Sequence, residues 1–236
     1  MQLFYSENIT GNIIILNEEE SKHCGRVLRK KLHDEIEVID GKGNYFKAVI
    51  IDENFKEVIA EIKETVSNWK VNNYSITIAM ALSKNPERFE WFCEKAAEIG
   101  VNEIIPIVTT RTEKKQFKPE RIQKILLSAI KQSGKALLPT IQPEISFKDF
   151  LNNNAKYSSY QKYIGWCETG LDIHLKNKYT KGYNAIILIG PEGDFTKEEV
   201  DVAITENYLP VSLGNSRLRM ETAGIVACHI VNLLNE

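Results

Sequence analysis

Two short segments late in the chain combine residue types that could hold a ligand and act on it. The first reads Ile189-Gly190-Pro191-Glu192-Gly193-Asp194-Phe195-Thr196. An apolar run leads into two glycines set around a proline. Thr196-Lys197-Glu198-Glu199 then has the form of a capping box that opens a helix. Glycine lets backbone approach a ligand closely and proline fixes the turn, although the same residues also suit a plain strand-to-helix turn. The second segment runs from Leu213 to Ala223 and places Arg217, Arg219 and Glu221 between a strand and the last helix. An arginine there could stabilise negative charge as it develops, and a carboxylate could orient that arginine or take a proton. Equally, Glu221 could complement the dipole of the helix it opens while the arginines face water. Each segment alone admits the plainer reading. Both follow strands, and open α/β sheets hold ligands beyond the carboxyl ends of their strands.

The elements that must position these segments follow from periodicity and punctuation. Ile76 to Leu82 is a continuous apolar strand, and Asn85-Pro86 starts a helix that carries Phe89, Phe92, Ala96 and Ile99 and stops at Gly100. Glu103 to Val108 is the next strand, and Pro119 to Ser133 the next helix, closed by Gly134. Further strands are expected around Tyr163 to Trp166, Ala185 to Ile189 and Leu209 to Leu213, with the polar stretch Asn152 to Ser159 as a loop. The last helix starts near Glu221 and is expected to turn Ala223, Val226, Ile230 and Leu233 to one face. Strands alternating with helices imply an α/β domain, a mostly parallel sheet covered on both sides.

The earlier part of the chain has a different rhythm. Short strands are expected at Asn12 to Leu16, Glu35 to Asp40, Tyr45 to Ile51 and Val58 to Ile62, with Gly41-Lys42-Gly43-Asn44 as a turn. This is the pattern of a small β-barrel. Asn17 and Glu20 signal a helix running to about Lys31. The expected division is residues 1–70 for the barrel and 73–236 for the α/β domain.

Composition excludes several classes. Hydrophobic residues make up 43% and charged residues 26% of the 236, an ordinary globular balance. The apolar runs are too short to span a bilayer, and no secretory signal stands at the N-terminus. Cys24, Cys93, Cys167 and Cys228 are scattered without a CxxC pair, so no metal site is expected and reduced thiols in a cytoplasm are the better reading. The net charge of −2 argues against indiscriminate coating of nucleic acid, but leaves room for a local basic patch. Arg26, Arg29, Lys30 and Lys31 put four cations into six residues, with Val27 and Leu28 between them expected to face the core. Such a cluster suits a phosphate backbone or, equally, a solvated helix end.

The paired late segments resemble the cofactor-binding signature of the SPOUT methyltransferases, and the chain looks closest to the family that methylates N3 of a uridine in 16S ribosomal RNA. The resemblance extends over almost the whole chain. It includes His23 to Arg29, Asp40-Gly41-Lys42-Gly43, Lys84, Lys95 to Val101, Pro106, Arg111, Arg121 and Gln132-Ser133-Gly134. Two positions depart from it. Ser216 stands where that family usually has an arginine, with Arg217 following, and Asp194 stands where glycine is common.

The resemblance implies a SPOUT-type parallel sheet with a C-terminal trefoil knot, preceded by a PUA-like barrel that holds RNA. It implies a cytoplasmic homodimer whose partner is 16S rRNA within the small ribosomal subunit, with no role for DNA or a membrane. The cofactor would be S-adenosyl-L-methionine, held by Ile189, Gly190, Pro191, Glu192 and Gly193 and by Leu213, Gly214, Leu218, Thr222 and Ala223. Arg219 would stabilise the uracil anion and Glu221 would orient it or help remove the N3 proton. RNA would meet Arg26, Arg29, Lys30, Lys31, Lys84, Arg111 and Arg217. The N3 edge is buried in a base pair, so the target nucleotide must be unpaired or extruded.

Three other readings compete with this one. A nicotinamide-dependent oxidoreductase needs a GxGxxG after an early strand, and none is present. A non-catalytic RNA-binding assembly factor would show no affinity for S-adenosylmethionine. A SPOUT methyltransferase acting on another RNA is set aside by the resemblance alone.

Overall fold

The computed structural model describes residues 2–113 and 117–236, which form two compact units. The first comprises the residues up to Val71 together with Leu127–Leu138. It contains β1 (Leu3–Tyr5), β2 (Asn8–Thr10), β3 (Ile13–Ile15), α1 (Glu18–Lys22), β4 (Glu35–Ile39), β5 (Tyr45–Asp52) and β6 (Ile59–Val66). The sheet order is β1-β4-β5-β6-β3-β2, antiparallel except for the β1–β4 pair. β1 and β2 lie at opposite ends of that order, yet only Ser6 and Glu7 separate them in sequence. The sheet must therefore curl until its edges approach. Ser6 sits at the closure: its N–H donates to the Ile39 carbonyl at 3.0 Å and its hydroxyl to the Ile15 carbonyl at 2.6 Å. Phe4, Ile14, Leu16, Val38, Ile50 and Ala60 fill the interior.

The basic segment differs from expectation. Asn17 caps α1 by accepting the Glu20 N–H at 2.9 Å, but the regular helix ends at Lys22 rather than near Lys31. A π-helical turn follows, His23–Val27, in which the Leu28 N–H reaches back to the His23 carbonyl. Gly25 is the weak point of the helix, and the Phe55 ring packs so tightly on it that an added Cβ would lie 2.2 Å from the ring. Arg29 then takes φ 56° and ends the run. As a result Val27 does not face the core but is 65% exposed, while Leu28 packs against it.

The second unit comprises Asn72–Leu126 and Pro139–Glu236. In chain order it holds β7 (Ile76–Ala81), α2 (Pro86–Ile99), β8 (Glu103–Val108) and the start of α3 (Pro119–Ser133). There follow β9 (Thr140–Ile141), β10 (Ile145–Ser146), α4 (Phe147–Asn152), β11 (Gln161–Gly165) and α5 (Leu175–Lys178). The last elements are β12 (Ala185–Ile189), α6 (Lys197–Thr205), β13 (Leu209–Val211) and α7 (Met220–Asn235). The sheet is parallel throughout, in the order β10-β8-β7-β12-β11-β13, with β9 pairing β8. Every residue of β7 and β12 is buried, as a parallel sheet covered on both faces requires. α2 and α7 pack together, and α7 lies against β7 and β12. Phe147, Phe150, Leu188, Phe195, Val200 and Tyr208 belong to a second core cluster, which includes α4 and α6.

Two local expectations fail. The stretch Asn152 to Ser159 is not an open loop: Asn154–Tyr157 forms a 3-10 turn with Asn154 and Tyr157 buried. The buried stripe of α7 is Gly224, Ala227, Cys228 and Val231, whereas Ala223, Val226 and Ile230 are only half-buried and Leu233 is 54% exposed. Small residues face inward because α2 comes close. A Cβ on Gly224 would lie 2.3 Å from the Met80 methyl and 2.7 Å from the Phe92 ring.

Candidate functional site

Register brings the strand ends to one level. Gly165 of β11 is paired with Ile189 of β12 on one side and with Val211 of β13 on the other, and Ile189 is paired with Met80 of β7. Beyond these carboxyl ends opens a cavity of about 760 Å³. It is the expected position for a ligand in an open α/β sheet.

Three loops build the cavity wall. Behind Ile189 the chain turns at once, the Asp194 N–H closing on the Pro191 carbonyl at 2.9 Å. Gly190 permits this turn, since a Cβ there would come 3.0 Å from the Phe195 nitrogen. Asp194 adopts the left-handed conformation, φ 63°, that glycine would take more easily. Its carboxylate accepts the Phe195 N–H at 2.8 Å and the Cys167 N–H at 3.0 Å, which ties this turn to the loop after β11. Thr196 and Glu199 complete the capping box of α6. The third loop, from Ser212 to Arg219, runs past Gly214, which needs its φ of 141°. Arg219 is the N-cap of α7, with φ −69° and ψ 154°.

Of the residues assigned to the cofactor from sequence, Ile189, Gly190, Pro191, Glu192, Leu213, Gly214, Leu218 and Ala223 border the cavity. Gly193 and Thr222 do not. Gly193 instead contributes a carbonyl to Arg111, whose Nη1 donates to it and, at 3.4 Å, to the Phe195 carbonyl. Arg217 and Arg219 are exposed and border the cavity, as does Ser216. Glu221 does not border it. That carboxylate is 8% exposed, and its Oε1 lies 3.9 Å from Arg88 Nε.

The remaining cations fall in different places. Lys84 pairs with Glu113 at 2.7 Å, and its backbone N–H approaches Glu192 Oε1 at 3.3 Å. In the first unit Arg26, Arg29 and Lys31 are exposed, and the Arg26 guanidinium lies 5.8 Å from the centre of the Phe55 ring. Lys30 is half-buried and donates to the Glu35 carbonyl at 3.0 Å.

Sequence reasoning missed two parts of the site. Trp166, Cys167, Thr169, Gly170 and Leu171 line the cavity. The available signal was position alone: they follow a parallel strand, whose end must face the same rim as the ends of β12 and β13. Arg88, in the first turn of α2, also lines the cavity, and nothing local in the sequence marks it. Within the loop after β11, burial and the neighbouring Asp194 carboxylate raise the Cys167 thiol above its usual range, which disfavours the thiolate. His174, the N-cap of α5, is held below the usual imidazole range by burial and by Lys176.

The chain leaving β13 passes between two neighbours. The Trp166 N–H donates to the Val211 carbonyl at 3.2 Å. On the other side, Ser212 exchanges backbone bonds with Ile173 and Leu175 at 2.9 and 3.0 Å. Among the described residues, no helix is long and apolar enough to cross a membrane.

Comparison with known proteins places these features in a family. Residues 70–232 match the RNA methyltransferase domain family and residues 16–63 the RNA methyltransferase PUA domain family. The ribosomal RNA small subunit methyltransferase E of Synechocystis sp. is 32% identical over 98% of this chain and 76% of its own length. A crystal structure described as a probable rRNA-methyltransferase from Porphyromonas gingivalis is 37% identical, with a TM-score of 0.91 over 100% of this chain and 98% of its own. The ribosomal RNA small subunit methyltransferase E of Neisseria gonorrhoeae, solved bound to S-adenosyl methionine, is 26% identical with a TM-score of 0.88, covering 100% of this chain and 98% of that one.

Proposed function

The chain belongs to the family of ribosomal RNA small subunit methyltransferase E proteins, and from that premise we propose that it transfers a methyl group from S-adenosylmethionine to N3 of a uridine in 16S rRNA. The observation that carries the reading is the cavity beyond the level ends of β11, β12 and β13, walled by close-turning backbone and flanked by Arg217 and Arg219. The cavity suits the cofactor. Gly190 and Gly214 present bare backbone on its wall, and a volume of about 760 Å³ accommodates a nucleoside with an amino-acid arm. Ile189 to Glu192, Leu213, Gly214, Leu218 and the loop after β11 would hold it. When bound, the cofactor supplies an electrophilic methyl on a sulfonium.

The chain's own residues have the complementary task. Neutral uridine carries a proton on N3, and its removal leaves an anion spread over O2 and O4. Arg219, exposed at the cavity edge and fixed at the start of α7, offers positive charge to that anion. Arg217 stands beside it and suits a phosphate or the base itself.

The reading extends to the rest of the molecule. The first unit, to which Leu127–Leu138 also belong, is PUA-like and holds rRNA through Arg26, Arg29 and Lys31, and the second unit, Asn72–Leu126 with Pro139–Glu236, is the methyltransferase domain. The segment after β13, running between β11 and residues 173–175, is the thread of a trefoil knot. The half-buried apolar residues Val226 and Ile230 with exposed Leu233 on α7 are the contact face of a homodimer. The enzyme works in the cytoplasm on the small ribosomal subunit.

The test is direct. S-adenosylmethionine and its demethylated product should raise the melting temperature, because both bind only the native state. Mass mapping of 16S rRNA from a strain lacking the protein should show the loss of one N3-methyluridine, restored with the gene. Absence of both effects removes the reading. Light scattering should give the mass of two chains, and a monomer at working concentration removes the dimer.

A further inference from the structure

Glu221 is a buried carboxylate without an adequate set of partners. It lies in the first turn of α7, where the helix dipole offers some compensation. Its Oε2 is buried and accepts no hydrogen bond among the described residues. The cation within reach is Arg88, whose Nε is 3.9 Å from Glu221 Oε1. Removing a carboxylate from water is costly unless a cation and hydrogen bonds replace the solvent.

Arg88 has a second carboxylate neighbour. Its Nη1 lies 3.6 Å from Glu192 Oε1, the same oxygen that accepts the Ser83 hydroxyl at 2.7 Å and the Lys84 N–H at 3.3 Å. One guanidinium thus stands between the Pro191–Asp194 turn and the first turn of α7. A guanidinium suits this place because its planar fork can address two carboxylates at once, which an ammonium on a flexible stem cannot. Arg88 borders the cavity and Glu221 does not.

We propose that Arg88 is a positioning residue for the methyl transfer. It joins Glu192 to Glu221 and so fixes the start of α7, with Arg219 at its cap, against the turn that holds the cofactor. Glu221 acts through Arg88 and not as a base on the substrate. The proposal rests on the methyltransferase reading, and it assigns a role to the one charged cavity residue, among the described residues, that neither late segment contains.

A double-mutant cycle with Arg88→Ala and Glu221→Gln tests it, read by calorimetric affinity for S-adenosylmethionine, by the two KM values and by the melting temperature. Each single change should weaken cofactor affinity by about tenfold or more, and the double variant should lose no more than the worse single one, as linked groups do. The KM for RNA should stay within about threefold, a split that general loosening of the fold would not produce. Should Arg88→Ala fail to fold, Arg88→Lys takes its place in the same cycle. It keeps the charge but not the fork, and is expected to lose affinity in the wild-type background and nothing more beside Glu221→Gln. Additive losses in the cycle, or an Arg88 variant with wild-type cofactor affinity, overturn the proposal. If the wild-type protein itself binds no cofactor, the methyltransferase reading fails instead, and the two failures are told apart by that single titration.

Discussion

Changing Arg29, Lys30 and Lys31 together to Ala should flatten the salt dependence of RNA binding by a definite amount. Arg29 and Lys31 are exposed, so each is free to meet a phosphate. Lys30 is half-buried and its ammonium already donates to the Glu35 carbonyl at 3.0 Å. Two phosphate contacts should therefore be lost, not three. Each contact contributes about 0.7 to the log–log slope on single strands and about 0.9 on a duplex, so the slope should fall by about 1.4 to 1.8. Between about 50 and 200 mM salt, the wild-type protein should then lose roughly tenfold more affinity than the variant. The assay is fluorescence anisotropy of a 16S rRNA fragment at several salt concentrations, with cofactor affinity measured alongside. Cofactor affinity should not change, because these cations belong to the first unit and the cavity to the second. An unchanged slope would show that the cluster does not touch phosphate. A fall well above about 2 would show that Lys30 contributes too and that its bond to Glu35 does not occupy it.

Three further outcomes follow from the same geometry. Arg219→Ala should lower turnover by about a hundredfold or more, with the melting temperature nearly unchanged since the side chain is exposed; near-normal turnover returns Arg219 to a solvated role. Gly224→Ala should destabilise the protein, because its Cβ would lie 2.3 Å from the Met80 methyl and 2.7 Å from the Phe92 ring. Overpacking costs about 1 to 3 kcal/mol and the better helix former returns up to about 1. The net loss of up to about 2 kcal/mol should lower Tm by up to about 8 °C in a chain of this size, and a Tm above wild type refutes the packing argument. His174 should make stability depend on pH. Its folded pKa is held below the unfolded one, so the stability it contributes is present above about pH 6.5 and is lost as pH falls below that value and through the folded pKa. Its Nδ1 accepts the Lys176 N–H at 3.1 Å, a bond that protonation removes. His174→Ser keeps a cap but cannot titrate, so thermal unfolding at pH 7 and pH 5 should show a smaller loss in the variant; equal losses exclude His174 as the cause.

Much of this protein is written in short stretches of sequence. Asn85-Pro86 opens α2, Gly100 closes it with φ 123°, and Thr196 with Glu199 caps α6, because each signal is settled within a few residues. The two late segments were legible for the same reason: each follows a strand and each contains its own turn. Tertiary structure decided what involves residues far apart in the chain. It alone brought Arg88 of α2 to Glu221 of α7, and placed the loop after β11 on the rim with the ends of β12 and β13. It also grouped Leu127–Leu138 with the N-terminal unit, although the helix containing its first half begins in the other. Short strands and turns already implied that the first sheet curls into a small barrel, but only the strand order, with β1 and β2 at its opposite ends although two residues apart, showed where its edges approach. For α7 the sequence pointed to the wrong stripe, Ala223, Val226, Ile230 and Leu233, for a different reason. The helix is apolar around most of its circumference, so periodicity could not say which stripe faces inward; the close approach of Met80 and Phe92 decided it, by admitting only Gly224 and its small neighbours.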